Sequence, residues 1–148
     1  MKNLLFTIVM LAFCNNNLFS QNQYANNHSE EDSLIIGTWI SDEDSKWKIV
    51  FTADSTCTWY YKNIVTDTYT YKLSNTSPQC GENVSINAKT LYLSLTNINN
   101  GDEMCYFFNG CSEEYLSISY LYMPSTYAVF VRQNEIILPP GPIDKKKI

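Results

Sequence analysis

Alternation of apolar and polar residues with a period of two is the strongest constraint on how this chain can fold. Clear examples are residues 47–51 (WKIVF) and 91–96 (LYLSLT), and similar runs lie at 57–62, 68–73 and 116–120. Successive side chains of a β-strand point to opposite faces, so such runs bury one face of a sheet. Three further apolar runs raise the predicted number of strands to about eight, and no stretch of ten residues shows helical spacing. The sequence predicts an all-β protein.

The predicted strands are separated by turn-forming residues at 53–55, 63–67, 99–102, 109–110 and 123–125. Short links between successive strands favour an up-and-down antiparallel order. Eight such strands can close into a barrel, which removes exposed edges. We therefore expect an eight-stranded up-and-down antiparallel barrel. One connection, from Ser74 to Lys89, is long, and we expect it to fold across one mouth of the barrel.

The first twenty residues are typical of a secretory signal peptide. Lys2 precedes a ten-residue apolar run, and Ser20 is a small residue before Gln21. Ten apolar residues are too few to span a bilayer, which needs about 20. We expect cleavage after Ser20 and a secreted or periplasmic protein. An alternative is lipid anchoring through Cys14, because residues 11–14 (LAFC) resemble a lipobox.

The rest of the chain divides into three parts. Residues 21–33 form a polar leader, which we expect to end in a helical turn capped from Ser29. Residues 34–133 form the barrel domain. Residues 134–148 form a tail whose prolines cannot donate to a β-ladder.

Charge argues against nucleic acid as a partner. Without residues 1–20 the chain keeps nine basic and all fifteen acidic residues, which leaves a formal charge of −6. Such a surface repels nucleic acid and anionic membranes, and the lysines at 145–147 are interpreted as a solubilising tail. We expect a monomer with no nucleic-acid partner and no membrane span.

Four cysteines remain after export: Cys57, Cys80, Cys105 and Cys111. An even number in an exported chain predicts two disulfides, and the residues alone allow three pairings. The spacings include no Cys-x-x-Cys pair, so a zinc site has little support.

Gly37 and Trp39 stand two residues apart at the start of the first strand and so face the same side. We expect the tryptophan to plug the narrow end of the barrel, with the glycine making room beside it. Here the sequence resembles the lipocalin-like proteins, whose first strand carries Gly-x-Trp near the closed end. The likeness extends to small secreted lipocalin-like proteins of the Bacteroidota through residues 47–54, Cys80, 105–106, 116–121 and 129–131.

This resemblance has consequences for the cysteines and for Arg132. It implies a Cys80–Cys105 disulfide, which leaves Cys57 and Cys111 as the second pair. A strict meander argues against this, because it puts Cys105 at the opposite end from the other three. Arg132 is the candidate for the arginine that packs on the tryptophan in this family.

Residues that would support catalysis are scarce. The only histidine, His28, lies in the leader, and no hydrolase, phosphate-loop, dinucleotide or zinc-protease motif is present. Acidic pairs at 42–44, 102–103 and 113–114 lie in predicted turns, where solvated carboxylates are ordinary. We expect no enzyme activity, no cofactor and no metal.

Aromatic residues are unusually frequent, with eleven tyrosines, seven phenylalanines and three tryptophans. Rings lining a cavity suit a small hydrophobic or amphipathic ligand, which is the function that we expect. The alternative is an extracellular interaction module with a filled barrel, which contacts protein or glycan through loops and exposed rings. The candidate lining residues are Trp47, Phe51, Trp59, Tyr69, Tyr71 and Tyr106.

Overall fold

A computed structural model describes residues 28–134 of the chain. Within these residues one short helix precedes eight strands, and the elements follow one another in chain order. They are α1 (Ser29–Leu34), β1 (Gly37–Ser41), β2 (Trp47–Phe51), β3 (Thr56–Tyr61), β4 (Ile64–Ser74), β5 (Tyr92–Asn97), β6 (Glu103–Cys111), β7 (Tyr115–Tyr120) and β8 (Tyr127–Arg132). The expected cleavage site, the Cys14 alternative, most of the leader and nearly all of the tail lie outside the described residues.

The eight strands form a closed antiparallel barrel, which confirms the predicted fold class. Each strand pairs with its neighbours in the chain, and β8 pairs with β1 to complete the circle. In the closing pair Trp39 lies opposite Arg132 and Ser41 lies opposite Phe130. All strand edges are therefore hydrogen-bonded, as closure requires. No helix within residues 28–134 has the length and apolar character needed to cross a membrane.

The period-two pattern fixes which residues fill the barrel. Leu93 and Leu95 on β5 and Ile49 on β2 are fully buried and belong to one core cluster, whereas the residues between them face outward. The cluster also receives Ile35, which follows α1 and is fully buried. The helix itself begins after His28, whose side chain makes no cap, so the expected cap at Ser29 is wrong by one position.

Two predicted turns are shorter or absent. The link between β3 and β4 is confined to Lys62 and Asn63, both with positive φ (51° and 64°), so β4 already begins at Ile64. Two-residue hairpin turns of this kind match the twist of the strands that they join. Residues 109–110 lie inside β6, where the register shifts between Phe108 and Gly110. The extra residue forms a β-bulge and does not end the strand.

The long connection between β4 and β5 packs against the outer wall of the barrel, and the expectation that it crosses a mouth is wrong. Cys105 lies opposite Ser94 on the outward side of β6, and it forms the disulfide with Cys80. The Tyr92 hydroxyl donates to the Ser85 carbonyl at 2.8 Å. The Cys80–Cys105 pairing is confirmed. Cys80 meets Cys105 on the outer wall of the barrel and not over a mouth.

The second expected disulfide is wrong, because Cys57 and Cys111 are both free thiols. Cys57 lies on β3 and Cys111 on β6, three strand intervals apart around the wall. Neighbouring strands are about 4.8 Å apart, whereas a disulfide needs Cα atoms within about 7 Å. The barrel wall keeps the two thiols separate.

Candidate functional site

The two ends of the barrel are built differently. At one end, here called the helix end, α1 leads into β1 and the turns at 52–55 and 112–114 connect strands. At the opposite end, here called the mouth, the connections are 42–46, 62–63, 98–102 and 121–126. No helix lies over the mouth among the described residues. The helix end also holds a cavity of about 600 Å³ between α1, the turn at 52–55 and β4, but within residues 28–134 the mouth is the end that leaves the interior of the barrel without a covering helix.

Trp39 closes the helix end. Its side chain is fully buried, and its indole nitrogen donates to the Ile35 carbonyl at 2.8 Å. The guanidinium carbon of Arg132 lies 4.1 Å from the centre of the ring, in cation–π contact. Arg132 thus packs on the tryptophan, and together they form a solid plug.

Gly37 makes room for the arginine rather than for the tryptophan. The guanidinium group of Arg132 donates to the carbonyls of Ile36, at 2.8 Å, and of Leu34. A Cβ atom on Gly37 would collide with a terminal nitrogen of that guanidinium. The glycine also has a φ of 145°, which side-chain-bearing residues rarely adopt. The glycine of the Gly-x-Trp pattern therefore leaves space for Arg132, which packs between β1 and β8.

Aromatic rings line the inner wall at the mouth. Trp47 packs on Tyr61 and Trp59, with ring centres 4.9 and 6.3 Å apart. On the other side of the barrel, Tyr106 packs on Tyr120 at 5.6 Å. Trp47 is 37% exposed and lies at the rim, whereas Trp59 and Tyr106 are partly buried below it. The mouth therefore offers an apolar, ring-lined surface that leads into the core.

The indole N–H of Trp59 is a poorly paired donor inside this wall. The nitrogen is inaccessible to solvent and meets no acceptor at full hydrogen-bond geometry among the described residues. The nearby Cys57 thiol, whose pKa is raised by burial and partly lowered by a bond from Trp59, is only a weak acceptor. The ring lies edge-on to Phe130 at 6.4 Å, so it extends from β3 toward β8 through the interior. A buried donor without an acceptor costs about 1–3 kcal/mol. Such a group calls for an explanation, and an acceptor supplied by a bound molecule is one.

A cavity of about 480 Å³ opens at the mouth beside the turn that joins β5 to β6. Four of its lining residues, Asp67, Tyr69, Asn97 and Met104, lie on the inward face of their strands. The Asn97 amide donates to the Asp67 carboxylate at 3.1 Å. The amide oxygen of Asn97 accepts from the backbone N–H of Asn99 at 2.9 Å. The lining of this cavity is mainly polar and acidic, with Tyr69 and Met104 as its apolar part and Asp67 as its inward-facing carboxylate.

Two tyrosines near the cavity hold their protons more tightly than usual. Burial, followed by the negative charge of Asp67, raises the pKa of Tyr69. Burial, followed by the neighbouring Tyr69 and Tyr120, raises the pKa of Tyr106 to about 12. Both phenols therefore remain neutral donors at physiological pH. The cavity itself offers the Tyr69 phenol and the Asp67 carboxylate to a bound molecule, while Tyr106 and the Trp59 indole lie deeper in the wall.

The structure divides the six predicted lining residues between the two ends of the barrel. All six face inward, but Phe51 lies opposite Gly37 at the helix end and packs on Tyr71 at 5.0 Å. The Tyr71 hydroxyl donates to the Thr52 carbonyl in the turn at that end. These two rings belong to the plugged end of the core. The predicted residues that lie together toward the mouth are Trp47, Trp59, Tyr69 and Tyr106.

Four residues of the mouth were missed by sequence reasoning. Tyr61 and Tyr120 lie on the inward face of the predicted runs at 57–62 and 116–120, but they were not named among the candidate lining residues. Asp67 was assigned to a turn, because the early start of β4 is not visible in the sequence. Asn97 ends the Leu91–Leu93–Leu95 series and is buried, although a terminal asparagine ordinarily indicates a turn.

The acidic pairs do not gather into a metal centre within the described part of the chain. Residues 42–44 and 113–114 lie in turns at opposite ends of the barrel, and Asp102 and Glu103 stand at the rim of the cavity. Histidine, cysteine and acidic side chains of residues 28–134 nowhere gather in a group of three that could hold a metal ion. His28 precedes α1, outside the mouth.

Fold and site together define a closed eight-stranded antiparallel barrel, plugged at one end and lined by aromatic side chains at the other. No family model, curated protein or solved structure matches the chain. Membership of the lipocalin-like family stays a prediction that rests on the residues quoted above.

Proposed function

We propose that the barrel binds a small hydrophobic or amphipathic molecule at the mouth. The observation that carries this proposal is the buried indole N–H of Trp59, which lies within a wall of aromatic rings and meets no acceptor better than the Cys57 thiol among the described residues. A ligand with a hydrogen-bond acceptor would pair with this donor and would cover the ring faces of Trp47 and Tyr106. Sites for small molecules typically combine such an apolar lining with a few oriented polar groups.

Nuclear magnetic resonance offers a direct test, because the chain has three tryptophans and hence three indole N–H signals. The neutral fluorescent probe N-phenyl-1-naphthylamine serves as a model ligand. We expect it to bind with a fluorescence increase and to shift the Trp47 and Trp59 signals by its ring current. The Trp39 signal provides the internal control, since its N–H already donates to Ile35 and lies at the plugged end.

Native mass spectrometry of the purified protein complements this titration, because a ligand retained through purification appears as added mass. Trp59→Phe keeps an aromatic ring but removes the donor, and it should weaken a ligand that has an acceptor by about tenfold. A probe that fails to bind, together with an unliganded mass, would contradict the proposal.

A second candidate function is an interaction module, and a different observation favours it. Seven of the nine exposed large apolar side chains in the described residues lie at the mouth end. Exposed apolar groups that are contiguous often mark a contact surface. A protein or glycan partner would then perturb backbone amides at Ile64, Val65 and Ile98 and leave the Trp59 indole signal in place. The seven are Trp47, Ile64, Val65, Ile98, Tyr122, Met123 and Tyr127.

A further inference from the structure

We infer that the mouth selects ligands whose polar group is a cation, that is, an ammonium head attached to an apolar body. This inference rests on the proposed function and adds the chemical class of the ligand. It is carried by the cavity at the mouth and by the position of Asp67 within it.

Asp67 faces the interior and lacks a positively charged partner. It lies directly opposite Trp59 in the pairing of β3 with β4, so both side chains are on the inward face. Its hydrogen bond from Asn97 fixes the carboxylate without neutralising it. Within residues 28–134 the one ion pair joins Lys46 to Asp44, at 3.9 Å. The carboxylate is therefore oriented toward the cavity with its charge uncompensated.

The other residues that line the cavity add to its preference for cations. The other charged residues that line it are Asp102 and Glu103, and none of the lining residues is a lysine or an arginine. Charges at a partly enclosed site are less screened than on an open surface, so the cavity favours cations and repels anions. Tyr69 is the aromatic residue that lines the cavity, and aromatic rings attract positive charge.

Side chains in and beside the cavity can contact the apolar part of such a ligand. Met104 and Tyr106 are partly buried against the core cluster, and Tyr69 is only 8% exposed. An alkyl or aromatic body can extend along these side chains toward Trp59 while the ammonium group stays beside Asp67. An alcohol of the same shape would keep the apolar contacts and lose the charge, and a carboxylate would meet repulsion.

A matched series of ligands tests the charge preference. Octylammonium, octanol and octanoate share one apolar chain and differ in the head group, and each competes with bound N-phenyl-1-naphthylamine at about pH 7. We expect octylammonium to displace the probe at about tenfold lower concentration than octanol, because hydrogen bonds to charged groups are the stronger ones. Octanoate should be the weakest of the three. Added salt should reduce the advantage of the ammonium compound.

Asp67→Asn is the decisive variant, because asparagine can still accept the hydrogen bond from Asn97 while it carries no charge. It should remove most of the advantage of octylammonium, because the remaining carboxylates of Asp102 and Glu103 are exposed and screened, and it should leave displacement by octanol unchanged. Asp44→Asn, which removes a mouth-side carboxylate outside the cavity, should preserve the advantage. Equal potency of the three compounds, or an advantage that Asp67→Asn leaves undiminished, would overturn the inference and leave the proposed function standing. Failure of the probe to bind would instead remove both.

Discussion

At the residue scale, Arg132 connects the end of the barrel to its beginning. It is the only arginine of the chain, and its guanidinium group covers Trp39 while donating to the carbonyls of Leu34 and Ile36. A third bond runs from its Nε to the Glu113 carbonyl at 2.7 Å. Bonds from a charged donor contribute about 1.5–3 kcal/mol each. One side chain therefore fixes α1, the last strand and a turn against the same indole.

Gly37→Ala tests this arrangement, and Gly110→Ala is its matched control. Both glycines have nearly the same φ (145° and 150°), but a Cβ on Gly110 meets nothing within 4 Å. The control should lose about 1–3 kcal/mol of unfolding free energy from backbone strain alone. Gly37→Ala should lose about 2 kcal/mol more, because the guanidinium must leave its position over Trp39. Urea denaturation measures both variants, and equal losses would show that the arginine does not depend on the glycine.

At the element scale, the alternation of the sequence predicted the strands because each has one face in the core. The long connection could not be placed in this way. Its polar residues give no period, and the contacts that hold it are with the outward side of β5 and β6. Tyr92 shows the difficulty: it alternates with core leucines and should be exposed, yet the connection buries it completely. The sequence also failed to predict the bulge at Gly110 and the early start of β4, because residues typical of turns occur inside these two strands.

The disulfide between Cys80 and Cys105 should hold this connection against the barrel wall in addition to stabilising the whole fold. Replacing both cysteines by serine opens a loop of 25 residues and should lower the unfolding free energy by about 3–4 kcal/mol in the chain-entropy account. Hydrogen exchange should quicken more at residues 75–91 and in β5 than in β1 and β2, where it can quicken only through the loss of global stability. Cys111→Ser, which removes a free thiol, is the control and should leave exchange in the connection unchanged. Uniformly faster exchange across all eight strands would contradict this division.

At the scale of the whole molecule, the barrel separates a plugged end from a mouth, and the sequence predicted the two unequally. Gly37 and Trp39 identified the plug because their spacing places both on one side of a strand. The mouth depends on which aromatic positions face the same end, and this follows from strand direction and register. Phe51 and Tyr71 were therefore grouped with Trp59, although the structure places them near the plug. Period alone distinguishes inside from outside, but it does not distinguish one end from the other.

The interior of the barrel should make the protein sensitive to alkaline pH. Burial raises the pKa of the Cys57 thiol to about 12 from 9.0, and that of Tyr106 to about 12 from 10.0. Both groups ionise more readily in the unfolded chain, so above about pH 9 the folded state binds more protons than the unfolded state. The unfolding free energy should be constant with respect to these groups below about pH 8. It should then fall as the pH rises toward 12, by up to about 1.4 kcal/mol per pH unit for each group.

Two substitutions test whether the buried groups cause this loss of unfolding free energy at alkaline pH. Cys57→Ala and Tyr106→Phe each remove one ionising group, so each should make the decline of unfolding free energy between about pH 9 and 12 less steep. The double variant should flatten the decline further, but by less than the sum of the two effects, because the raised pKa of Tyr106 depends, after burial, Tyr69 and Tyr120, on the Cys57 thiolate as well. Tyr115→Phe changes a tyrosine that is 53% exposed and should leave the slope as it is in the parent protein. Urea denaturation at a series of pH values measures these slopes. If the parent and the double variant decline in parallel, the two buried groups do not govern the loss, and the interior of the barrel is wetter than its packing indicates.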